Sequence, residues 1–151
     1  MLKIAIGSDH AAFEYKEKIK KLLVLEGFKI DDCGIYEKKP IEDYSVAEKV
    51  ALSVSKGKVD RGILLCATGI GMSISANKIP GCIAALCHSL YTARCAREHN
   101  DSNVLVLGSR VIGLELALEI TNVWLKTGYR GGRHVLRNKS FLDFDQKYRK
   151  V

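Results

Sequence analysis

Apolar residues along this chain alternate between two rhythms. Short, nearly continuous runs at KIAIG (3–7), FKIDDC (28–33), RGILLC (61–66), CIAALC (82–87) and NVLVLG (103–108) have the length and composition of buried strands. Between them the apolar positions recur at helical spacing. From Ala12 to Glu26, the residues Ala12, Ile19, Leu22 and Leu23 share a face, and Gly27 stops the helix. Asp43 is placed to cap a helix reaching Ser55, with Val46, Ala47, Val50, Ala51 and Val54 on one side and Gly57 beyond its end. Further helices are expected near Met72–Lys78, Ser89–Glu98 and Leu114–Thr127, with a last amphipathic one over 141–150. There is no internal repeat and no low-complexity stretch.

Five apolar strands, each followed by a helix, predict a parallel sheet covered on both faces, because parallel neighbours need crossovers and helices usually supply them. The expected architecture is α/β: a single domain spanning 1–151 with a three-layer, doubly wound, Rossmann-like fold and a five-stranded parallel sheet. Ligands in such folds sit beyond the carboxyl ends of the strands. The polar residues expected to converge there are Ser8, Asp9 and His10; Cys66 and Thr68; His88; and Ser109 and Arg110.

Composition narrows the partners. No apolar run approaches the roughly 20 residues a membrane span needs, and MLKIAIGSDH lacks the apolar region and cleavage site of a signal peptide, so the expectation is a cytoplasmic protein without a membrane partner. The five cysteines, Cys33, Cys66, Cys82, Cys87 and Cys95, contain no CxxC pair, which argues against a disulfide framework or a zinc ribbon. Of the +7 net charge, six units come from the tail from Lys126 onward, where eight Lys or Arg face only Asp143 and Asp145. That tail has no nucleic-acid reader motif and no interleaved aromatic platform. A small phosphorylated ligand held by a few arginines accounts for the charge better than nucleic acid; a solvated helix face is the plain alternative.

Four stretches carry candidate chemistry. After the first strand, GSDH (7–10) lacks the GxGxxG of a dinucleotide turn; Ser8 or Asp9 suits a helix cap, which leaves His10 unexplained. In CATGIG (66–71), glycines leading into a helix start expose N–H groups suited to a phosphate or to an oxyanion formed in a reaction. A thiol in that setting is favoured as thiolate, so Cys66 is a candidate nucleophile or base. A Cys–His pair would need a histidine, and His88, His99 and His134 all stand as partners. REHNDSN (97–103) puts His99 and Asn100 at a helix end, where a histidine often only complements the dipole. RGGRHVLR (130–137) sets Arg133, His134 and Arg137 after two glycines, an arrangement suited to a phosphate dianion.

Taken together, GSDHAAFEYK, CATGIGMSISANKIPG, REHNDSNVLVLGSRVIG and GGRH, in that order from about residue 3 to 137, resemble the type B ribose-5-phosphate isomerases. That family also includes the galactose-6-phosphate isomerase subunits. The resemblance implies interconversion of D-ribose 5-phosphate and D-ribulose 5-phosphate through a cis-enediolate, a step of the non-oxidative pentose phosphate pathway, with no metal and no cofactor. It makes Cys66 the general base, Thr68 an aid to proton movement at the substrate oxygens, and the backbone of Ala67, Gly69, Ile70 and Gly71 the anion hole. It makes His99 the ring-opening residue, gives Asp9 and Asn100 to the sugar hydroxyls, and gives His10, Arg133 and Arg137 to the phosphate, with Arg110 helping from the partner subunit. It further implies a homodimer with shared active sites, paired into tetramers in some members, with the C-terminal helix packing on the partner.

Three departures from the family pattern bear on the site. The usual C-G-T-G reads Cys66-Ala67-Thr68-Gly69, and a positive φ at Ala67 would be strained. D-Y-P reads Asp43-Tyr44-Ser45, at a loop that edges the site. G-I-R-A-A reads Gly81-Cys82-Ile83-Ala84-Ala85, without the arginine. The alternatives to the ribose reading are the same chemistry on allose or galactose 6-phosphate, a non-catalytic phosphosugar-binding protein, and a nucleic-acid binder using the basic tail.

Overall fold

The computed structural model describes residues 1–149. In chain order it contains β1 (Lys3–Ser8), α1 (Phe13–Leu25), β2 (Lys29–Asp32), α2 (Ser45–Ser55), β3 (Arg61–Cys66), α3 (Ile70–Ala76), β4 (Ala84–Leu86), α4 (Leu90–Glu98), β5 (Val104–Gly108), α5 (Leu114–Lys126) and α6 (His134–Tyr148). The five strands form one all-parallel sheet in the order β2-β1-β3-β5-β4. The chain steps one way from β1 to β2 and from β4 to β5, and the other way from β2 to β3 and from β3 to β4. Right-handed crossovers send opposite steps to opposite faces. Accordingly Ile19 and Leu23 of α1, Ala93 of α4 and Trp124 of α5 share one core, while Val46 and Val50 of α2 and Met72 of α3 share the other.

Strand alternation feeds both cores. Ile4, Ile6, Ile63, Leu65, Leu105 and Leu107 face the first; Ala5, Leu64, Val104 and Val106 face the second. The second face is thinner because Gly7 and Gly62 lie on it. A Cβ on Gly62 would meet Val50 Cγ1 at 2.7 Å, and one on Gly7 would collide with Val46, so α2 rests directly on backbone. The two faces part at β1 and β3, whose finishing ends flank the point where the winding reverses.

Elements differ from expectation at their ends. Asp43 stands two residues before α2 and acts by accepting the Ser45 N–H at 2.9 Å. β4 begins only at Ala84, since the Cys82 N–H turns back to the Ile79 carbonyl at 3.0 Å. The last helix was expected over 141–150 but starts at His134: Gly131 and Gly132, with φ of 63° and 57°, form the turn, and nothing after them interrupts a helix. Lys150 lies outside the described residues. Among those described, no helix is long and apolar enough to cross a membrane.

β4 is an edge strand, and the outward groups of Ala84 are occupied. Ala84 N–H donates to Asn77 Oδ1 at 2.8 Å, and Asn77 Nδ2 donates to the Ala84 carbonyl at 2.9 Å. At the opposite edge, Asp32 at the end of β2 accepts Lys16 Nζ at 2.8 Å, Lys20 Nζ at 2.7 Å and the Gly34 N–H at 3.0 Å. The Gly34 carbonyl in turn accepts the Ser8 N–H at 2.8 Å, so this cluster holds the chain after β2 against the end of β1. Lys16 has no solvent exposure. Burial alone would raise the Asp32 carboxyl, but the hydrogen bonds from Lys16 and Lys20 outweigh it and hold the group below the usual carboxylate range.

Asp32→Ala is expected to destabilise the fold by about 3 kcal/mol at neutral pH, the lower end for breaking a buried pair, because Glu17 still reaches Lys16. Because the folded-state value is depressed, the stabilisation is present above the ordinary carboxylate range and is lost as pH falls through the folded value. Urea denaturation of parent and variant should therefore show a gap at pH 7 that narrows in acid; a gap independent of pH would contradict the ion pair as its source.

Candidate active site

At the reversal point, the end of β3 and the loop beyond it form a compact backbone structure. Gly69 adopts a left-handed φ of 80°, where it serves as N-cap of α3. That turn brings its N–H onto Cys66 Sγ at 3.1 Å. A Cβ there would also press on Leu86 and on the Leu107 carbonyl. The Ile70 N–H donates to Thr68 Oγ1 at 3.2 Å. The first intrahelical bond runs from the Ser73 N–H to the Gly69 carbonyl at 2.9 Å, so the N–H groups of Gly71 and Met72 precede the helical ladder. Two of the four expected anion-hole donors, Gly69 and Ile70, are thus engaged inside the loop, and Gly71 is among those left free. Ala67 is not at positive φ; among the described residues only Asp101 is a non-glycine there, so the extra methyl brings no backbone strain.

Other expected residues gather round this loop. The Ser109 N–H donates to the Cys66 carbonyl at 2.9 Å, and the Arg110 N–H to the Ala67 carbonyl at 2.9 Å. Arg110, expected from the partner, is therefore tethered beside Cys66 in its own chain. The Asp9 N–H donates to the Leu65 carbonyl, and Asp9 Oδ1 caps the turn that follows by accepting from Ala11 and Ala12 at 3.0 and 3.2 Å. The capping role is real and leaves Oδ2 over. His10 Nδ1 is buried without a hydrogen-bond partner.

His99, Asn100, Arg133 and Arg137 are not in this group. β3 and β5 run in register from Gly62 opposite Val104 to Cys66 opposite Gly108. His99 closes α4 only a few residues before β5 starts, so it lies at the starting edge of the sheet, and five strand residues, roughly 13 Å, separate that edge from Cys66. The basic tail joins it there: the Arg130 N–H donates to the Glu98 carbonyl at 3.1 Å, and Asn138 Nδ2 to the His99 carbonyl at 2.8 Å. His99, Arg133, His134 and Arg137 line a pocket of about 300 Å³. Within one chain the expected site is therefore two half-sites on opposite edges.

For two residues the structure adds contacts that spacing did not show. Tyr44, within the Asp43-Tyr44-Ser45 loop expected to edge the site, lies over Gly71, where any Cβ would collide with its ring and hydroxyl. His134 stacks on His99 with centroids 4.5 Å apart and planes 16° apart. Desolvation first, and then the charges of His99, Arg133, Arg137 and Arg130, hold the His134 imidazole below its ordinary value. Of the remaining cysteines, burial pushes Cys33 and Cys87 up to about 11 and Cys82 up to about 12, which keeps them as thiols at neutral pH. Among the described residues no cluster of three or more His, Cys, Asp or Glu could hold a metal ion.

A sheet with a thiol, a bent glycine loop and uncommitted backbone donors at its reversal point is the frame of an acid–base enzyme acting on a small anion. Comparison with known proteins gives the family. The family model described as Ribose/Galactose Isomerase matches residues 4–141. Ribose-5-phosphate isomerase B of Escherichia coli is 45% identical over 147 residues, covering 97% of this chain and 99% of that protein. D-Erythrulose-4-phosphate isomerase of Pectobacterium atrosepticum is 47% identical over 135 residues, covering 87% and 88%. The solved structure of Clostridium thermocellum ribose-5-phosphate isomerase B matches with a TM-score of 0.95 at 45% identity, covering 97% of this chain and 99% of that one. The chain belongs to the ribose/galactose isomerase family and is an isomerase.

A phosphate dianion between Arg133 and Arg137 would offset the charges that depress His134. Adding inorganic phosphate should raise the His134 titration midpoint, followed by NMR on the imidazole C–H signals; a midpoint unmoved by phosphate would speak against an anion at this pocket.

Proposed function

We propose that this isomerase interconverts D-ribose 5-phosphate and D-ribulose 5-phosphate through a cis-enediolate, as a cytoplasmic enzyme of the non-oxidative pentose phosphate pathway. The observation that carries the reading is the Cys66 loop, in which the Gly69 N–H donates to Sγ at 3.1 Å and the neighbouring free N–H groups can receive a developing oxyanion. A proton next to a carbonyl becomes acidic only as that oxyanion is stabilised, so base and donors must flank the same carbon. Cys66 removes the C2 proton, the electron pair moves through the C1–C2 bond to the carbonyl oxygen, and the enediolate forms. The thiol returns the proton to C1, while the O2 proton passes to O1 with the Thr68 hydroxyl assisting. No metal is needed for these steps.

The rest of the machinery is supplied by a second copy. His99 then opens the furanose ring, Asn100 joins Asp9 at the sugar hydroxyls, and Arg133 and Arg137 join His10 and Arg110 at the phosphate. The separation of the half-sites supports a homodimer with two shared sites. So does α6, whose Leu136, Leu142, Phe144 and Tyr148 all remain exposed on the single chain. A second reading keeps the chemistry and changes the sugar; the D-erythrulose-4-phosphate isomerase at 47% identity favours it.

Turnover of chelator-treated protein on ribose 5-phosphate, erythrulose 4-phosphate, allose 6-phosphate and galactose 6-phosphate ranks these readings; the largest kcat/KM is expected on ribose 5-phosphate. Cys66→Ala should abolish isomerisation, and retention of more than a tenth of the parental rate would remove Cys66 as base. Mixing inactive Cys66→Ala and His99→Asn chains should restore roughly a quarter of the parental rate, because half of the dimers formed carry one site with both groups intact. If mixing restores nothing, both groups act within one chain.

A further inference from the structure

At the starting edge of the sheet lies a second cavity, of about 540 Å³, that shares no lining residue with the pocket of His99, Arg133, His134 and Arg137. Its polar lining includes Arg61, Arg97, Asn100, Tyr129, Asn138 and Lys139. Two guanidinium groups flank one indole: Arg61 Cζ is 5.2 Å and Arg97 Cζ 5.9 Å from the Trp124 ring centroid. Arg97 is fully committed, to the Ser102 carbonyl at 2.6 Å, the Thr127 carbonyl at 3.3 Å and Asp101 Oδ1 at 2.8 Å. Arg61 is not. Its Nη1 is buried without an acceptor, and among the described residues no carboxylate lies within ion-pair distance of it. Both acids that line the cavity are occupied elsewhere, Asp101 by Arg97 and Asp60 by the Lys3 N–H at 2.7 Å. Across the cavity, Lys139 adds a third cation, and Asn138 Oδ1 is also buried without a partner.

The Arg61 guanidinium is only partly buried, but its enclosed Nη1 donor, beside a second guanidinium, is unfavourable without an acceptor. Burial and then the charge of Arg97 push Arg61 down to about 10, against the opposing charges of Asp101 and Asp60, so it stays a cation at neutral pH with no direct ion-pair partner among the described residues. We propose that this cavity is a second ligand site, beside the half-site of His99, Arg133 and Arg137 and sharing Asn100 with it, that takes a small metabolite bearing a phosphate or carboxylate group on Arg61 and Lys139. Planar N–H donors and a flexible ammonium match the oxyanion geometry of either group. The volume suits a molecule of sugar-phosphate size rather than a polymer. The proposal does not depend on the sugar that the enzyme isomerises.

The test is calorimetric titration with inorganic phosphate and, in parallel, with acetate. An Arg133→Ala/Arg137→Ala double variant removes two of the four phosphate ligands proposed for catalysis, and it should still bind an anion that depends on Arg61 and Lys139. In that background Arg61→Gln and, separately, Lys139→Gln should each weaken binding at least tenfold. Lys139 is exposed, so its variant reads the site even if Arg61→Gln folds poorly. Phosphate-only or acetate-only binding would identify which oxyanion the site accepts within the proposal. If the double variant binds neither anion, or if binding is unchanged in the Lys139 variant and in a folded Arg61 variant, the cavity is not an anion site. Either result leaves the isomerase reading untouched, since that rests on Cys66 and on turnover.

Discussion

At the end of β5 the backbone of Thr68 crosses so close to Gly108 that a Cβ on that glycine would sit 2.5 Å from the Thr68 carbonyl oxygen and 2.7 Å from its carbon. Because β5 ends in a residue without a side chain, the loop after β3 can lie flat across it. The Ser109 and Arg110 N–H groups then hold the carbonyls of Cys66 and Ala67, and Gly69 can turn its own N–H back to the sulfur. Thiol, bent backbone and free donors are thus consequences of one close approach between neighbouring strands. The reactive group is placed by main chain, which is stiffer than any arrangement of side chains could be.

Lys16 and Arg61 are two cations withdrawn from solvent, and their surroundings differ in a telling way. Lys16 has Asp32 and Glu17 within 3.1 Å and lies near the Phe13 and Tyr36 rings, so its charge is matched on the spot. That matching ties α1 to the end of β2 and, through Gly34, to the end of β1. Arg61 has an aromatic face and a like charge instead. The first cation is paired directly, whereas the second has Asp60 and Asp101 only beyond ion-pair distance.

The strands and the α/β architecture were legible because each apolar run is short, continuous and separated by helical spacing. The glycine loop was legible for its chemistry, since glycines entering a helix say that backbone comes close to something. Helix ends were less so: the start of α6 was obscured because RGGRHVLR reads equally as an open phosphate loop and as a glycine turn feeding a helix. The opposite edges of Cys66 and His99 follow from a strand end and a helix end in a parallel sheet, but their distance needed the pairing of β3 with β5 and its register. Ala67 carries the same lesson in reverse, as the left-handed residue of its loop is Gly69 two positions on. Tyr44 was legible only as part of a loop edging the site, because its position over Gly71 depends on packing.

The Asn77 amide, paired with both outward groups of Ala84, imitates one residue of a missing sixth strand. An open strand invites any extended chain to continue the sheet, including an identical molecule or a partly unfolded one. Here that ladder is terminated by a side chain at its most available rung. An extended chain that met the β4 border would have to displace the Asn77 amide before it could pair with Ala84.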